Sequence, residues 1–421
     1  MTFINHQIKI LTFAAICSGL FAANAQSVQN AQSMVETAKN KSVKVVPTNL
    51  NWSERMLLSE MHRFPESWML DFSKSPKWTY PAAIVLDGAE QLFAKTGEKE
   101  YYDYVSSFGE KLVNDNGSIK SYELEKYNID LLNSGNVLLY LYETEKKEKY
   151  LTALKMLRSQ IDGQPRTAEG GFWHKKIYPH QMWLDGLYMG QPFYAHYTRD
   201  FEKGADAAKA YDDIVNQFDL IQKHLVDKKT GLLYHAWDES REQAWANKET
   251  GVSPNFWGRA MGWYGMAMVD VLDYLPQNHP RRAKLIAYIK SFSDAIIKVQ
   301  DKKSGLWYQV LDKPLENGNY EEATASAMFV YTMIKSVNKG YLPKSYKTYA
   351  RKGYDGIIKN LITVDENGVV NLNKCCAVAG LGGKPYRDGS YKYYVNEQIR
   401  SNDAKGTGPF ILASIEFEKN N

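Results

Sequence analysis

Two aspartates sit where a carboxylate is costly. Asp185 lies within Met182-Trp-Leu-Asp-Gly-Leu-Tyr-Met189, with apolar or aromatic neighbours on both sides. A carboxyl group so placed loses hydration in its charged form, which predicts a pKa raised toward neutrality. That is the property of a general acid working near pH 7. The plainer alternative is a helix cap, since an acidic residue ahead of a helical pattern is a good helix start. Asp130 ends Tyr127-Asn-Ile-Asp130, 55 residues earlier, and is predicted to open a helix over 131–142. Alone it reads as a cap. If both residues open successive inner helices, they share one rim and can divide acid and base work between them.

Trp257-Gly-Arg259-Ala-Met-Gly-Trp263 is the third feature. On a helix Arg259 and Trp263 are i, i+4 neighbours, with Trp257 in the entry turn. An arginine between two tryptophans offers a carboxylate clamp and flat faces for a sugar ring. A cation–π pair inside the core is the competing reading.

Three loops repeat one pattern: Gly170-Gly-Phe-Trp173-His174, Gly231-Leu-Leu-Tyr234-His235 and Gly305-Leu-Trp-Tyr308-Gln309. Each has a glycine, an aromatic at +3 and a hydrogen-bonding side chain at +4. Repeated turn chemistry explains this, and so does a ligand site built from polar tips around one mouth.

Helical periodicity recurs from Trp52 to the end. Ile84, Val85, Gly88, Ala89, Leu92 and Phe93 form an apolar face, and Gly97 offers a C-cap. The segment Thr96-Gly-Glu-Lys-Glu-Tyr-Tyr102 returns as Thr144-Glu-Lys-Lys-Glu-Lys-Tyr150. Further apolar helices start near Gly186, Arg259 and Ala323, each followed by a charged one. This predicts roughly twelve helices, from a charged one at about 52–65 to an apolar one at about 407–418. The pattern fits an all-α (α/α)6 barrel of six helical hairpins, with an open solenoid as the alternative. No strand alternation is long enough for a separate β domain.

The composition is that of a globular chain: 421 residues, 44% hydrophobic and 24% charged, with 29 Tyr and 10 Trp. Residues 1–25 read as a signal peptide, with Lys9, an apolar run over 10–21 and Ala23-Asn-Ala25 before Gln26. Export to the periplasm, or secretion, is the expectation; a lipid anchor at Cys17 is a minor alternative. Residues 26–47 read as a leader, leaving 48–421 as the catalytic domain. Removing Lys9 leaves 51 basic against 48 acidic residues, interspersed, which is no nucleic-acid footprint. Cys375 and Cys376 are adjacent and form no disulfide framework. No metal or nucleotide motif appears, so no cofactor and no metal are expected.

Taken together, these segments resemble glycoside hydrolase family 105, the unsaturated rhamnogalacturonyl hydrolases, with family 88 more distant. The resemblance is carried by Lys77-Trp-Thr-Tyr80, Asp130, Trp173-His174, Trp183-Leu-Asp185-Gly-Leu-Tyr-Met and the His235 loop. It continues through Trp257-x-Arg259-x-x-x-Trp263, Gly305-Leu-Trp-Tyr-Gln-Val, Glu322, Gly389-Ser-Tyr-Lys-Tyr-Tyr394 and Asn402-Asp-Ala-Lys-Gly-Thr-Gly-Pro-Phe410. The family fold is an (α/α)6 barrel. The resemblance implies that Asp185 is the general acid/base and Asp130 its assistant. It also implies that His174, Trp183, His235, Trp257, Arg259, Trp263, Trp78 and Tyr80 bind substrate. That substrate would be a small oligosaccharide ending in a 4,5-unsaturated uronic acid, rhamnogalacturonan-derived by preference, or an ulvan- or arabinogalactan-derived glucuronyl relative. Another (α/α)6 carbohydrate enzyme would want paired histidines or adjacent aspartates. A non-catalytic sugar binder would not need Asp185.

Overall fold

The computed structural model describes residues 45–419. The expected signal peptide and nearly all of the expected leader lie outside the described residues. From Val46 onward the chain forms one compact unit. Val46 itself is buried, and its N–H donates to the Asn367 carbonyl at 2.9 Å.

In chain order the helices begin with α1 (Trp52–Arg63), α2 (Tyr80–Thr96), α3 (Lys99–Leu112), α4 (Gly135–Glu145) and α5 (Glu148–Gly163). Next come α6 (Leu184–Phe201), α7 (Gly204–Leu225), α8 (Gly258–Tyr274) and α9 (Arg282–Lys298). The chain finishes with α10 (Ala323–Asn338), α11 (Tyr346–Asn360), the short α12 (Tyr391–Asn396) and α13 (Ala404–Glu418). Three antiparallel pairs of two- or three-residue strands decorate the loops: β1 (Gln181–Trp183) with β2 (Ala236–Asp238), β3 (Ile362–Val364) with β4 (Val370–Leu372), and β5 (Cys375–Cys376) with β6 (Ile399–Arg400).

Contacts between inner helices run a full circle: α2 on α4, α4 on α6, α6 on α8, α8 on α10, α10 on α13, and α13 back on α2. The outer helices α3, α5, α7, α9 and α11 each pack on the inner helix before them, and α1 packs on α13. This is a closed (α/α)6 barrel, not a solenoid. Sequence dictates the division into layers. Outer α3 buries only one stripe, Tyr101, Tyr104, Val105, Phe108 and Leu112, at helical spacing. Inner α8 and α10 are buried along almost their whole length. Gly97 closes α2 as expected, in the left-handed region at φ 76°, with its N–H on the Phe93 carbonyl at 2.8 Å.

The ring closes on a reciprocal glycine contact. Gly88 of α2 faces Ile411 of α13, and Gly408 of α13 faces Ile84 of α2. A Cβ at Gly408 would stand 2.6 Å from the Ile84 Cγ2 and 2.9 Å from its carbonyl carbon. Outside this seam, the Ser53 hydroxyl of α1 donates to Glu418 at 2.6 Å, and Lys95 Nζ reaches the same carboxylate at 2.7 Å. One end of the barrel is plugged by polar groups. There Lys335 holds Asp270 at 2.6 Å and Asp273 at 2.7 Å beside a cavity of about 90 Å³.

Gly408→Ala should therefore destabilise the fold by about 1–3 kcal/mol through overpacking. This would happen even though alanine is the better helix former by up to about 1 kcal/mol. Urea unfolding measures it, and an unchanged or raised midpoint would show that the seam has slack.

Candidate active site

The residues with chemical potential gather at the opposite rim because the loops are laced to the inner helices in a repeated way. The N–H of Ile129 donates to the His174 carbonyl at 3.2 Å, and that of Leu184 to His235 at 3.0 Å. Gly258 donates to Gln309 at 2.9 Å, and Ala323 to Lys374 at 3.0 Å. Bridges alongside them pair Asn128 with Lys175, Trp183 with Ala236, and Trp257 with Val310. Each loop tip is thus tied to the start of the inner-helix segment one repeat earlier. The three tip glycines make this possible, at φ 92° for Gly170, 81° for Gly231 and 78° for Gly305. The loop pattern is therefore turn chemistry and site construction at once.

At two of these ties the residue after the tied N–H lies beside the histidine of the tip. Asp130 Oδ1 lies 3.4 Å from His174 Nε2, and Asp185 Oδ2 lies 3.2 Å from His235 Nε2. These are two equivalent carboxylate–histidine pairs. The Asp185 contact is off line for a hydrogen bond, and both of its atoms lack any other partner. Apo catalytic contacts are often misaligned in this way.

Their surroundings differ. Lys175 Nζ holds Asp130 Oδ2 at 2.6 Å, and the aspartate keeps the lysine's pKa raised despite burial. His235, wholly buried, has Nδ1 2.8 Å from the Tyr394 hydroxyl. Arg259 is 2% exposed. It stacks over Trp257 at 4.7 Å and donates to the Cys376 carbonyl rather than to a carboxylate, while its Nε has no partner. Trp257 Nε1 donates to Gln309 Oε1 at 3.1 Å. Trp183 stacks on His174 at 4.5 Å and on Tyr178 at 5.1 Å. Tyr80 lies within electrostatic reach of Arg259, Asp130 and Asp185. Beside Asp130 opens a cavity of about 590 Å³ that Trp78, Tyr80, Val378, Arg400 and Lys405 also line, a volume ordinary for a small-ligand pocket.

Several expectations need correction. Asp130 does not open an α-helix over 131–142. It sits in a 3-10 turn, Ile129–Leu132, and α4 starts only at Gly135. Asn128 supplies the cap there, accepting the Asp130 N–H at 3.1 Å and freeing the Asp130 carboxylate. Asp185 is not a cap either, since Trp183 holds that position. The expected rise in the Asp185 pKa is overturned. Burial does push it up, but His235, and then His174 and Arg259, outweigh burial and leave it below the usual carboxylate range. Trp78, Trp257 and Trp263 show no open face, each being at most 1% exposed. Trp78 donates to the Leu131 carbonyl, and Trp263 stacks on Tyr188 at 4.9 Å with its edge toward Tyr80.

Lys175 and Tyr178 are not singled out by the sequence, and Tyr394 enters there only as the end of a resembling segment, with no role attached. Lys175 is in a Lys-Lys pair that reads as solvated loop. Tyr394 is one of two adjacent tyrosines with nothing local to rank them. Cys375 and Cys376 are free and buried.

The family model for Glycosyl Hydrolase Family 88 matches residues 52–421. The chain belongs to that family. A family 105 glycoside hydrolase from C. acetobutylicum ATCC 824 is 48% identical, with a TM-score of 0.84 over 88% of this chain and 100% of that one. The unsaturated rhamnogalacturonyl hydrolase YesR of Bacillus subtilis (strain 168) is 26% identical, across 77% of this chain and 86% of its own length. The unsaturated glucuronyl hydrolase of Bacillus sp. GL1, at 14% identity and a TM-score of 0.61, covers 87% of this chain and 95% of that one and shares the fold. This family 88 member is a glycoside hydrolase on an (α/α)6 barrel, as the motifs implied.

Burial holds His174 down at about 4, with Asp130 pulling it up and Lys175 adding to the lowering. Its ordinary value is 6.5, so between those values the folded chain binds fewer protons than the unfolded one. The stability tied to a neutral His174 is complete above about pH 6.5 and is lost as pH falls toward about 4. His174→Gln should flatten the fall in melting temperature across that window. An equally steep fall would assign the acid loss to other groups.

Proposed function

We propose that the protein removes a 4,5-unsaturated uronic acid from the non-reducing end of lyase-generated oligosaccharides, the unsaturated rhamnogalacturonan disaccharide being the favoured substrate. One observation carries the reading: the buried Asp185–His235 pair shares a rim with ion-paired Asp130–Lys175 and with a buried Arg259 that lacks a carboxylate partner. Arg259 has the buried carboxylates of Glu322 and Asp403 within electrostatic reach but forms no ion pair with either, and its unpartnered Nε suits a uronate carboxylate. The name of YesR, an unsaturated rhamnogalacturonyl hydrolase, supports the substrate class.

In this reading Asp185 donates its proton to C4 of the enol ether. Positive charge develops at C5 and the ring oxygen, and the Asp130 carboxylate stabilises it. Water adds at C5, and its proton returns to a carboxylate. The product is a hemiketal that opens to a C5 ketone. C1 is then a hemiacetal, which expels the next sugar as an alcohol. No glycosyl-enzyme bond forms, unlike the usual retaining route. The substrate carboxylate also answers the low pKa of Asp185. An anion beside Arg259 offsets the positive field and moves the acid back up when it is needed. Tyr80, Trp183 and Tyr178 frame the ring. The same reading includes export, most simply to the periplasm, on the pattern of residues 9–25.

The test follows the ultraviolet absorbance of the conjugated uronate in the rhamnogalacturonan disaccharide, with an unsaturated glucuronyl oligosaccharide alongside. Wild type should remove it, and Asp185→Asn should be slower by roughly 10²–10⁴-fold. Near-wild-type decay by Asp185→Asn would move the acid elsewhere. No decay by folded wild type would refute the substrate class.

A further inference from the structure

The two carboxylate–histidine pairs are equivalent by backbone lacing but differ in their third partner. Asp130 has a lysine on its second oxygen at 2.6 Å, and the Nδ1 of His174 has no partner. Asp185 has no such lysine, and the Nδ1 of its histidine meets a tyrosine. We infer that Tyr394 is a positioning residue for the acid: its hydroxyl fixes the ring and tautomer of His235, so that Nε2–H is directed at Asp185. The inference rests on the reading of Asp185 as acid.

Tyr394 is built to hold one position. It is fully buried on α12, whose start is capped by the Ser390 hydroxyl accepting the Tyr393 N–H. Its ring stacks on Trp257 at 5.9 Å and 21°. Its carbonyl receives Gln309 Nε2 at 3.1 Å, and the same glutamine holds Trp257 Nε1. Burial keeps the phenol protonated far above its usual range. Donating that hydrogen to His235 Nδ1 puts the ring proton on Nε2, against the carboxylate. The opposite arrangement would leave the phenol hydrogen without an acceptor and aim a bare Nε2 lone pair at a carboxylate. Both contacts are unfavourable in a buried site.

The consequence is chemical. When Asp185 gives its proton to C4, the new carboxylate already faces an N–H, and no proton leaves the histidine. Asp130, with its charge engaged by Lys175, has no comparable device, which separates the roles of the two aspartates. The other groups facing Asp185 are His174, Lys175, Arg259 and Tyr80, and those facing Tyr394 are Tyr393, Asp388 and Cys376, while the hydrogen bond of the Tyr394 hydroxyl goes to His235.

The first measurement needs no substrate. In ¹⁵N-histidine spectra of the full chain, His235, assigned as the signal lost in His235→Asn, should be the Nε2–H tautomer. Its Nδ1 shift should move in Tyr394→Phe. The second is kinetic. Tyr394→Phe should lower kcat roughly tenfold to a hundredfold with KM within about threefold, and move the basic limb of the kcat profile to higher pH. Tyr354→Phe loses a buried hydroxyl that bonds Ser414 at 2.9 Å between α11 and α13, and should leave that limb in place. An Nδ1–H tautomer in wild type, or an unmoved Nδ1 shift in Tyr394→Phe, overturns the inference. So does a higher KM with kcat and the limb unchanged, which would make Tyr394 a substrate contact. Expected spectra with no turnover of any unsaturated uronide would uphold the positioning and reject the substrate reading instead.

Discussion

Closing the ring is the constraint on which everything else rests. A barrel of hairpins hides its inner faces only if the first and last inner helices meet, and here they meet through Gly88 against Ile411 and Gly408 against Ile84. Two backbones brought this close leave no room for a side chain on either glycine. The outer tie between Ser53 and Glu418 joins residues 365 apart in the chain. Bringing such distant segments together costs loop-closure entropy that local helix formation does not recover. The apolar walls of α2 and α10 therefore lack a partner until α13 has been made.

Given a closed ring, the rim follows from hydrogen-bond accounting. The first N–H groups of a helix have no partner within it. Four times at this rim, one such group is satisfied by the carbonyl of a loop tip from the next repeat. That bond fixes the tip backbone, and at two of the four ties the tip side chain falls beside the residue following the donor. Asp130 with His174 and Asp185 with His235 are two products of one backbone rule. The electrostatics then diverge through Lys175 in one case and Tyr394 in the other.

Much of this was legible in the sequence, for identifiable reasons. Alternation of small-residue helices with charged ones has a period long enough to survive in a single chain, so the barrel and the helix count could be read. The Gly-x-x-aromatic-polar loops could be read because positive φ at the first position leaves glycine as the residue of choice. What could not be read depended on contacts between distant segments. Asp130 looked like a helix start because Asn128, two residues away, takes that duty in the folded chain. The tryptophans looked like open sugar platforms because composition does not reveal which aromatic face is already covered. The Asp185 pKa was misjudged for the same reason. Its apolar sequence neighbours were visible, whereas His235 and Arg259 arrive from later repeats and reverse the sign.

Equivalence at the rim has a further consequence. Asp130, Asp185, Arg259 and Thr324 each follow a tied N–H, and so occupy corresponding sockets of a single ring. Two sockets hold acids, one a base and one a small neutral residue. The tie is made by main-chain atoms alone, so it does not itself depend on which side chain fills the socket. Such a rim separates the question of where a reactive group stands from the question of which group it is. A scaffold of this kind can change its chemistry one residue at a time while its architecture stays fixed.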